Sequence, residues 1–185
     1  MEVHETKLEG VYLLEPNVYA DDRGYFVETY NENVFKKAGI KEVFLQDNQS
    51  LSKQAGTLRG LHYQLNPDSQ LKVVRCVTGA IFDVAVDIRK KSPTYKQWVG
   101  VVLSEHNQRQ LLVPKGFAHG FCTLVDHTTV AYKVDQLYSP LHDRGIRWND
   151  PELAIEWPCS QPILSKKKTV RIRCFIKQKL IFKGE

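Results

Sequence analysis

The stretch Leu58–Gly79, LRGLHYQLNPDSQLKVVRCVTG, contains two runs rich in aliphatic and aromatic residues joined by a polar turn. Runs of this kind, bounded by Asn, Pro, Asp and Gly, are typical of paired β-strands. His62 lies two residues before Gln64 and ten before Lys72. This spacing leaves three roles open for His62: a metal ligand, a hydrogen-bonded structural histidine, or a base.

Similar short runs recur along the chain between residues 10 and 136, giving about ten strands. We therefore predict a mainly β fold, an antiparallel barrel or sandwich with a few short helices. One short helix is predicted over residues 31–39, where Asn31 can cap the start and Gly39 the end. The prolines after residue 139 predict a looser C-terminal region that follows the last strand.

The composition limits the class of protein. The 185 residues are enough for one domain, and 42% hydrophobic residues exclude a disordered chain. No apolar run approaches the roughly 18 residues that span a membrane, and the N-terminus lacks the pattern of a secretory signal. The cysteines are scattered without a CxxC pair, which fits reduced thiols and predicts a cytoplasmic protein.

The positive charge is confined to the C-terminal tail. Residues 165–185 hold eight of the 26 basic residues and one of the 21 acidic residues, so residues 1–164 have 18 basic and 20 acidic residues. A basic tail can bind nucleic acid or a membrane surface. The body lacks the basic stripe interleaved with aromatic residues that nucleic-acid binding favours. We predict a single domain with a core of about 1–164, and neither a nucleic-acid nor a membrane partner.

The opening stretch resembles the first motif of the cupin superfamily, whose members are jelly-roll barrels. That motif contains two histidines, a glutamate and a glycine. The matching positions here are His62, Gln64, Lys72 and Gly79, with a longer gap before the lysine. The second cupin motif, P-x-G-x-x-H, is intact as PKGFAH and ends at His119.

The two altered positions argue against a metal-dependent cupin of the dioxygenase type. An ammonium group at Lys72 repels a divalent cation and cannot coordinate it. A metal-free pocket with an imidazole and an ammonium suits proton abstraction next to a carbonyl. The imidazole can take the proton near neutral pH, and the ammonium can stabilise the oxyanion that forms.

The chain to about residue 165 resembles the dTDP-4-dehydrorhamnose 3,5-epimerase family over several ordered blocks. These are DDRGYFVETYN, QDNQS, GTLRGLHYQ, LKVVRCVTGAIFDVAVDIRKKSPTY, PKGFAHGF and YKVDQLYSP followed by GIRWNDP. The resemblance implies a cupin jelly roll that needs no metal or cofactor and forms a homodimer. It also implies conversion of dTDP-4-dehydro-6-deoxy-D-glucose to dTDP-4-dehydro-L-rhamnose in dTDP-rhamnose biosynthesis.

The resemblance also assigns roles to residues. It implies that His62 is the base at carbons 3 and 5, that Tyr132 is the acid on the opposite ring face, and that Lys72 holds the ketone oxygen as it becomes an enolate. The resemblance also implies substrate-binding residues. Arg59 would contact the same oxygen, His119 would line the sugar pocket, Arg23 would meet the diphosphate and Tyr138 would stack on thymine. The others are Glu28, Gln46 and Asn48, at the nucleotide or contributed by a partner subunit, Asp143, where the family often has glutamate, and Lys168 in the tail.

Each role has a structural alternative. Tyr132 could be barrel core, Arg23 could belong to a turn, and Tyr138 could anchor a loop. Asp83 could face the site or form a structural salt bridge. Simple alternation puts Arg59 and His62 on opposite faces of one strand, so both reach the site only if the strand bulges, which Gly60 permits.

The tail departs from the family pattern. The family usually ends in L-S-x-K-D, whose aspartate fixes the tautomer of the base histidine. Here Lys168 or Thr169 stands in its place, and no acid follows Glu156 until Glu185. One reverse translation with a single adenine restored in the lysine run puts an aspartate directly after the lysines. The tail is therefore either a shifted reading frame or a genuine divergence.

Two other functions remain open at this stage. One is a single-site epimerase acting at carbon 3 or carbon 5 of another dTDP-deoxysugar. The other is a cupin that lost activity with the aspartate and only binds a nucleotide sugar, which the joint presence of His62, Lys72 and Tyr132 opposes.

Overall fold

The computed structural model describes residues 1–165 and 172–173. The elements in chain order are β1 (Glu2–Glu5), β2 (Tyr12–Glu15), β3 (Val18–Asp21), β4 (Gly24–Val27), α1 (Glu32–Lys37), β5 (Gln46–Ser52), β6 (Leu58–Gln64), β7 (Lys72–Thr78), β8 (Ala80–Asp87), β9 (Trp98–Ser104), β10 (Gln110–Val113), β11 (Phe117–Thr123), β12 (Thr128–Val134), β13 (Asp143–Ile146) and β14 (Ile172–Arg173). The predicted mainly β class is confirmed.

Two six-stranded sheets pack against each other. Sheet I has the order β1-β2-β10-β7-β12-β5, and sheet II has the order β14-β13-β6-β11-β8-β9. Alternate side chains from both sheets meet in a shared apolar core. This core contains Leu8, Val11, Val74, Cys76, Ile81, Ala85, Leu103, Leu111, Val113, Phe117, Phe121 and Val130.

The outer faces of both sheets are covered in part. Helix α1 places Phe35 against Leu14 and Leu112 on sheet I. The segment after β13 places Leu153 and Trp157 against sheet II. The central strands of sheet II are thus buried on both sides, which explains why every residue of β11 is buried.

Helix α1 forms where the capping residues predict it. The Asn31 side chain accepts hydrogen bonds from the backbone N–H groups of Asn33 and Val34. Gly39 follows the helix in the left-handed conformation, with φ of 87°. Among the residues that the structure describes, no helix is long and apolar enough to cross a lipid bilayer.

Four strands were not predicted: β1, β3, β13 and β14. Strand β1 has the sequence EVHE, which lacks a hydrophobic run because the strand lies at the edge of sheet I with one face exposed. Strands β13 and β14 correct the prediction of a looser region after residue 139. Backbone pairing with β6, rather than an apolar pattern, holds β13 in sheet II.

The β3–β4 hairpin forms a separate two-stranded sheet, and its Tyr25 hydroxyl accepts a hydrogen bond from Gln108 Nε2 at 2.8 Å. Its two strands pair with each other and with no other described strand. Its aromatic side chains remain open to solvent: Tyr19 is 62% exposed and Phe26 68% exposed. Large apolar groups exposed together on one hairpin indicate a surface that another molecule covers.

Candidate active site

The polar residues of the two cupin-like motifs meet at one end of the barrel interior. Sheet II contributes His62 from β6 and His119 from β11, which are direct neighbours in the strand register. Sheet I contributes Lys72 at the start of β7 and Tyr132 from β12. The charges of Lys72 and His119 both affect the pKa of His62, so these groups share one electrostatic environment.

A bulge brings Arg59 to the same face as His62. Three residue steps on β6, from Arg59 to His62, lie opposite only two steps on β11, from Phe121 to His119. Gly60 makes the bulge possible, since its φ is 138° and a Cβ there would lie 2.5 Å from the Gly120 Cα. The strand therefore has the bulge that Gly60 permits, and Arg59 and His62 share one face.

Arg59 is held in place by hydrogen bonds to β5. Its guanidinium donates to the Ser52 hydroxyl at 3.2 Å and to the Leu51 carbonyl at 3.1 Å. Burial raises the pKa of Tyr132, and the positive charge of Arg59 opposes that rise. Arg59 and Tyr132 therefore belong to the same group.

Burial sets the protonation state of His62. Loss of hydration lowers the pKa of the His62 imidazole below its ordinary 6.5, the Asp143 carboxylate opposes this shift, and Lys72 and His119 add to it. The ring is thus neutral at neutral pH. A neutral, partly buried imidazole beside a cation can accept a proton.

Lys72 provides a positive charge and Tyr132 a proton donor beside the neutral imidazole of His62. Burial lowers the pKa of Lys72 to about 8, against opposing effects of the Asp143 and Asp83 carboxylates, so the amine is still charged at pH 7. Burial raises the pKa of Tyr132, which keeps the phenol protonated. The interior therefore contains a base, a cation and a proton donor.

Asp83 pairs with His119 and not with His62. The Asp83 Oδ1 atom lies 2.7 Å from His119 Nε2, and both residues are buried. Asp83 therefore faces the barrel interior and forms its salt bridge there, with His119. The other oxygen, Oδ2, is buried without a hydrogen bond among the described residues.

Four predicted binding residues lie together beside this interior group. The backbone N–H of Tyr138 donates to Gln46 Oε1 at 3.1 Å, and Gln46 Nε2 donates to Asn48 Oδ1 at 2.8 Å. The Tyr138 hydroxyl lies 3.5 Å from Asp143 Oδ2. Tyr138 is 58% exposed, so its ring faces solvent at the edge of the site.

Three predicted residues are not brought into this group. Arg23 lies at the turn of the exposed hairpin, where its guanidinium contacts Asp21. Glu28 follows the hairpin and accepts a hydrogen bond from Asn31. The partners recorded for these two side chains therefore belong to the hairpin and to the start of α1, not to the interior group. Lys168, and with it the missing aspartate and the question of a shifted frame, lies outside the described residues.

The donor set at the cupin positions does not fit a divalent metal. The Gln64 amide donates from Nε2 to the Asp68 carbonyl and accepts at Oε1 from the Ser139 N–H, and Lys72 brings a positive charge. Within residues 1–165, the one cluster of three ligand-type side chains consists of Glu2, His4 and Glu15, which lie on strands β1 and β2 away from this interior group.

A comparison with family models matches residues 5–172 to dTDP-4-dehydrorhamnose 3,5-epimerase. A curated protein of that name from Shigella flexneri is 54% identical over 168 residues, which are 90% of this chain and 92% of the relative.

Two solved structures are similar over nearly the whole chain. A dTDP-4-dehydrorhamnose 3,5-epimerase from Bacillus anthracis, with TDP and PPi bound, has a TM-score of 0.89 and 57% identity, and the match covers 92% of this chain and 97% of that one. A dTDP-6-deoxy-D-glucose-3,5-epimerase from Legionella pneumophila, in complex with dTDP-4-keto-L-rhamnose, has a TM-score of 0.87 and 44% identity, covering 92% and 91%.

Proposed function

The chain belongs to the dTDP-4-dehydrorhamnose 3,5-epimerase family and is an isomerase, and we propose that His62, Lys72 and Tyr132 carry out its reaction. The substrate is dTDP-4-dehydro-6-deoxy-D-glucose, and the product is dTDP-4-dehydro-L-rhamnose, in dTDP-rhamnose biosynthesis. The observation that carries the assignment of residues is the meeting of a neutral imidazole and a partly buried ammonium from facing sheets, with a protonated phenol in the same interior group.

The proposed reaction moves one proton at each carbon. His62 removes the proton from the carbon next to the ketone, and the electron pair of that C–H bond moves to the oxygen at carbon 4. Lys72 and Arg59 stabilise the resulting enolate through their positive charges. Tyr132 donates a proton to the same carbon from the opposite face, which inverts its configuration. Solvent then restores both protonation states.

The remaining predicted residues bind the substrate in this proposal. His119, fixed by Asp83, lines the sugar pocket. Tyr138 stacks on the base, with Gln46, Asn48 and Asp143 beside it at the edge of the site. No metal or other cofactor takes part, because the enolate charge is met by Lys72 and Arg59. We place the reaction in the cytoplasm.

Deuterium uptake tests the function. The protein, treated with a chelator, is incubated in deuterated water with dTDP-4-dehydro-6-deoxy-D-glucose, and deuterium is located by NMR. We expect uptake at carbons 3 and 5. Uptake at one carbon only would identify a single-site epimerase. Binding of dTDP without uptake would identify a nucleotide-sugar-binding protein, and activity that returns only with an added divalent metal would contradict the metal-free mechanism.

We also propose that the protein is a homodimer in which the β3–β4 hairpin of one copy lies against the other. The exposed Tyr19 and Phe26 supply the apolar contact. The hairpin would carry Arg23 to the diphosphate in the partner's site, with Glu28 close by. This arrangement explains why the partners of both side chains within their own chain lie outside the interior group.

The dimer predicts a solution mass of about twice the 21.3 kDa of the chain, measured by light scattering at micromolar concentration. Phe26→Asp puts a charge in the apolar contact and should shift the mass to that of a monomer. Val102→Asp, at another exposed apolar position, should leave it unchanged. A monomeric wild-type protein would contradict the proposal.

A further inference from the structure

Gln64 occupies the position of the second histidine in a metal cupin, and its sequence position alone indicates only a lost metal ligand. It is 6% exposed, and its amide makes three hydrogen bonds to backbone groups. We propose that Gln64 is a positioning residue for nucleotide binding, which fixes the loop that presents Tyr138. This inference rests on the proposed function of Tyr138 as the residue that stacks on the base.

The hydrogen bonds of Gln64 lie on both sides of Tyr138. Its Oε1 atom accepts from the N–H of Ser139 at 2.8 Å, and its Nε2 atom donates to the carbonyl of Leu137 at 3.2 Å. The residues immediately before and after Tyr138 are thus held by one side chain. The second Nε2 hydrogen donates to the carbonyl of Asp68 at 2.6 Å, which ties the same amide to the β6–β7 connection.

Only a primary amide fits these three partners. Two carbonyl oxygens require two N–H donors on one nitrogen, and a backbone N–H requires an acceptor on the other atom. Glutamate could accept from Ser139 but could not donate to Leu137 or Asp68. Histidine has one donor at most when it also accepts. The residue at this position therefore serves the loop rather than a metal.

Further contacts hold the remainder of the loop that carries Tyr138. His142 Nδ1 lies 2.8 Å from Asp68 Oδ2, and Gln70 Nε2 donates to the Gln136 carbonyl at 2.8 Å. The backbone of Tyr138 is also bonded to Gln46. Its ring is nevertheless 58% exposed. A fixed backbone below an exposed ring lowers the entropy that must be lost when a flat partner stacks on the ring.

The expected effect is on binding and not on the chemical step. Gln64→Met keeps the length of the side chain and removes all three hydrogen bonds, and Gln64→Glu keeps the bond from Ser139 and loses the other two. We expect both variants to raise KM for the dTDP-sugar and Kd for dTDP alone by about 10-fold, the size of a lost stacking partner. The kcat should change less than about threefold, since the thymine ring takes no part in the proton transfer between the sugar, His62 and Tyr132.

Two further variants separate this role from a general structural one. Tyr138→Ala should weaken dTDP binding by the same factor, and the double variant with Gln64→Met should bind no worse than Tyr138→Ala alone, because both changes remove one interaction. Gln70→Met is the matched control. This change removes a partly buried hydrogen bond to Gln136, two residues before Tyr138. It should weaken dTDP binding less than about threefold, because Gln64 still holds both neighbours of Tyr138.

The measurements are calorimetric titration with dTDP and steady-state kinetics on the full-length variants. Wild-type protein that binds dTDP while Gln64→Met and Gln64→Glu bind it equally well would overturn the inference alone. A large fall in kcat with unchanged dTDP binding would also overturn it. Additive effects of Gln64→Met and Tyr138→Ala on dTDP binding would overturn it as well. Wild-type protein that does not bind dTDP would overturn the proposed function as well.

Discussion

Replacing His62 by alanine is expected to abolish deuterium uptake at both carbons and to lower turnover by about 10²- to 10⁴-fold, the contribution of a positioned general base. The reason is the place of His62 in the barrel. Its imidazole is neutral because partial burial lowers its pKa, and the ammonium of Lys72 lowers that pKa further. Without His62, the proposed reaction has no group to take the proton from either carbon.

The matched control is His106→Ala, at an exposed histidine in the connection between β9 and β10. It should leave turnover unchanged. Binding of dTDP should also survive in His62→Ala, because the nucleotide contacts proposed above do not include His62. Deuterium uptake by His62→Ala at the wild-type rate would exclude His62 as the base.

Tyr132→Phe should behave differently from His62→Ala. It removes the proton donor but leaves the base, so proton removal continues while reprotonation from the opposite face slows. We expect the substrate still to take up some deuterium while the inverted product forms more slowly, as seen by following both in one NMR experiment. Inverted product formed at the wild-type rate would show that another group is the acid.

The strand pattern predicted the class of fold and most of its elements, since inward-facing residues alternate in the central strands. The strands that the pattern did not predict are held by backbone pairing and not by a hydrophobic pattern of their own. Strand β1 is a charged edge strand, and β13 depends on its hydrogen bonds to β6. The motif at Gly60 indicated a local feature of β6. Arg59 and His62 can share a face only if the strand departs from simple alternation, and the register with β11 shows a bulge there.

The grouping of the candidate site residues could be predicted where a sequence motif identifies them. It could not be predicted where a contact depends on which strands are neighbours in the fold. His62, Lys72, His119 and Tyr132 meet as the cupin spacing and the family resemblance imply. The bond between Asp83 and His119 depends on the pairing of β8 with β11, which sequence spacing does not reveal.

The role of Gln64 was missed for a related reason. Its partners are backbone groups of residues about 70 positions further along the chain and of Asp68. Nothing in the spacing of the motif indicates such contacts. A buried polar residue beside a catalytic motif is a usable signal, however, because its hydrogen bonds must be satisfied somewhere.

Among the described residues, Asp143 is the carboxylate whose charge raises the pKa of His62, and it acts on Lys72, Tyr132 and Tyr138 as well. Its effect on His62 is smaller than that of burial. The neutral state of the base therefore depends on desolvation more than on any one partner.

Replacing Lys72 by methionine is expected to lower kcat by about 10²- to 10³-fold, the loss seen when one group that stabilises an oxyanion is removed. Methionine has a similar length and no charge, and replacing a buried cation by an apolar side chain need not destabilise the fold. Lys72→Arg keeps a positive charge and should retain more activity than Lys72→Met. Equal losses in the two variants would show that the charge of Lys72 is not its contribution.

The pH dependence gives an independent test of the same residue. The pKa of Lys72 lies at about 8 because burial disfavours the ammonium, and the pKa of His62 lies below 6.5 for the same reason. The active form needs neutral His62 and charged Lys72, so kcat/KM should rise as pH increases through the His62 pKa and fall as pH increases beyond about 8. In Lys72→Arg the alkaline fall should move to higher pH, since a guanidinium stays charged. A wild-type profile that stays level well above pH 8, or an alkaline fall unchanged in Lys72→Arg, would contradict the assignment of the oxyanion charge to Lys72.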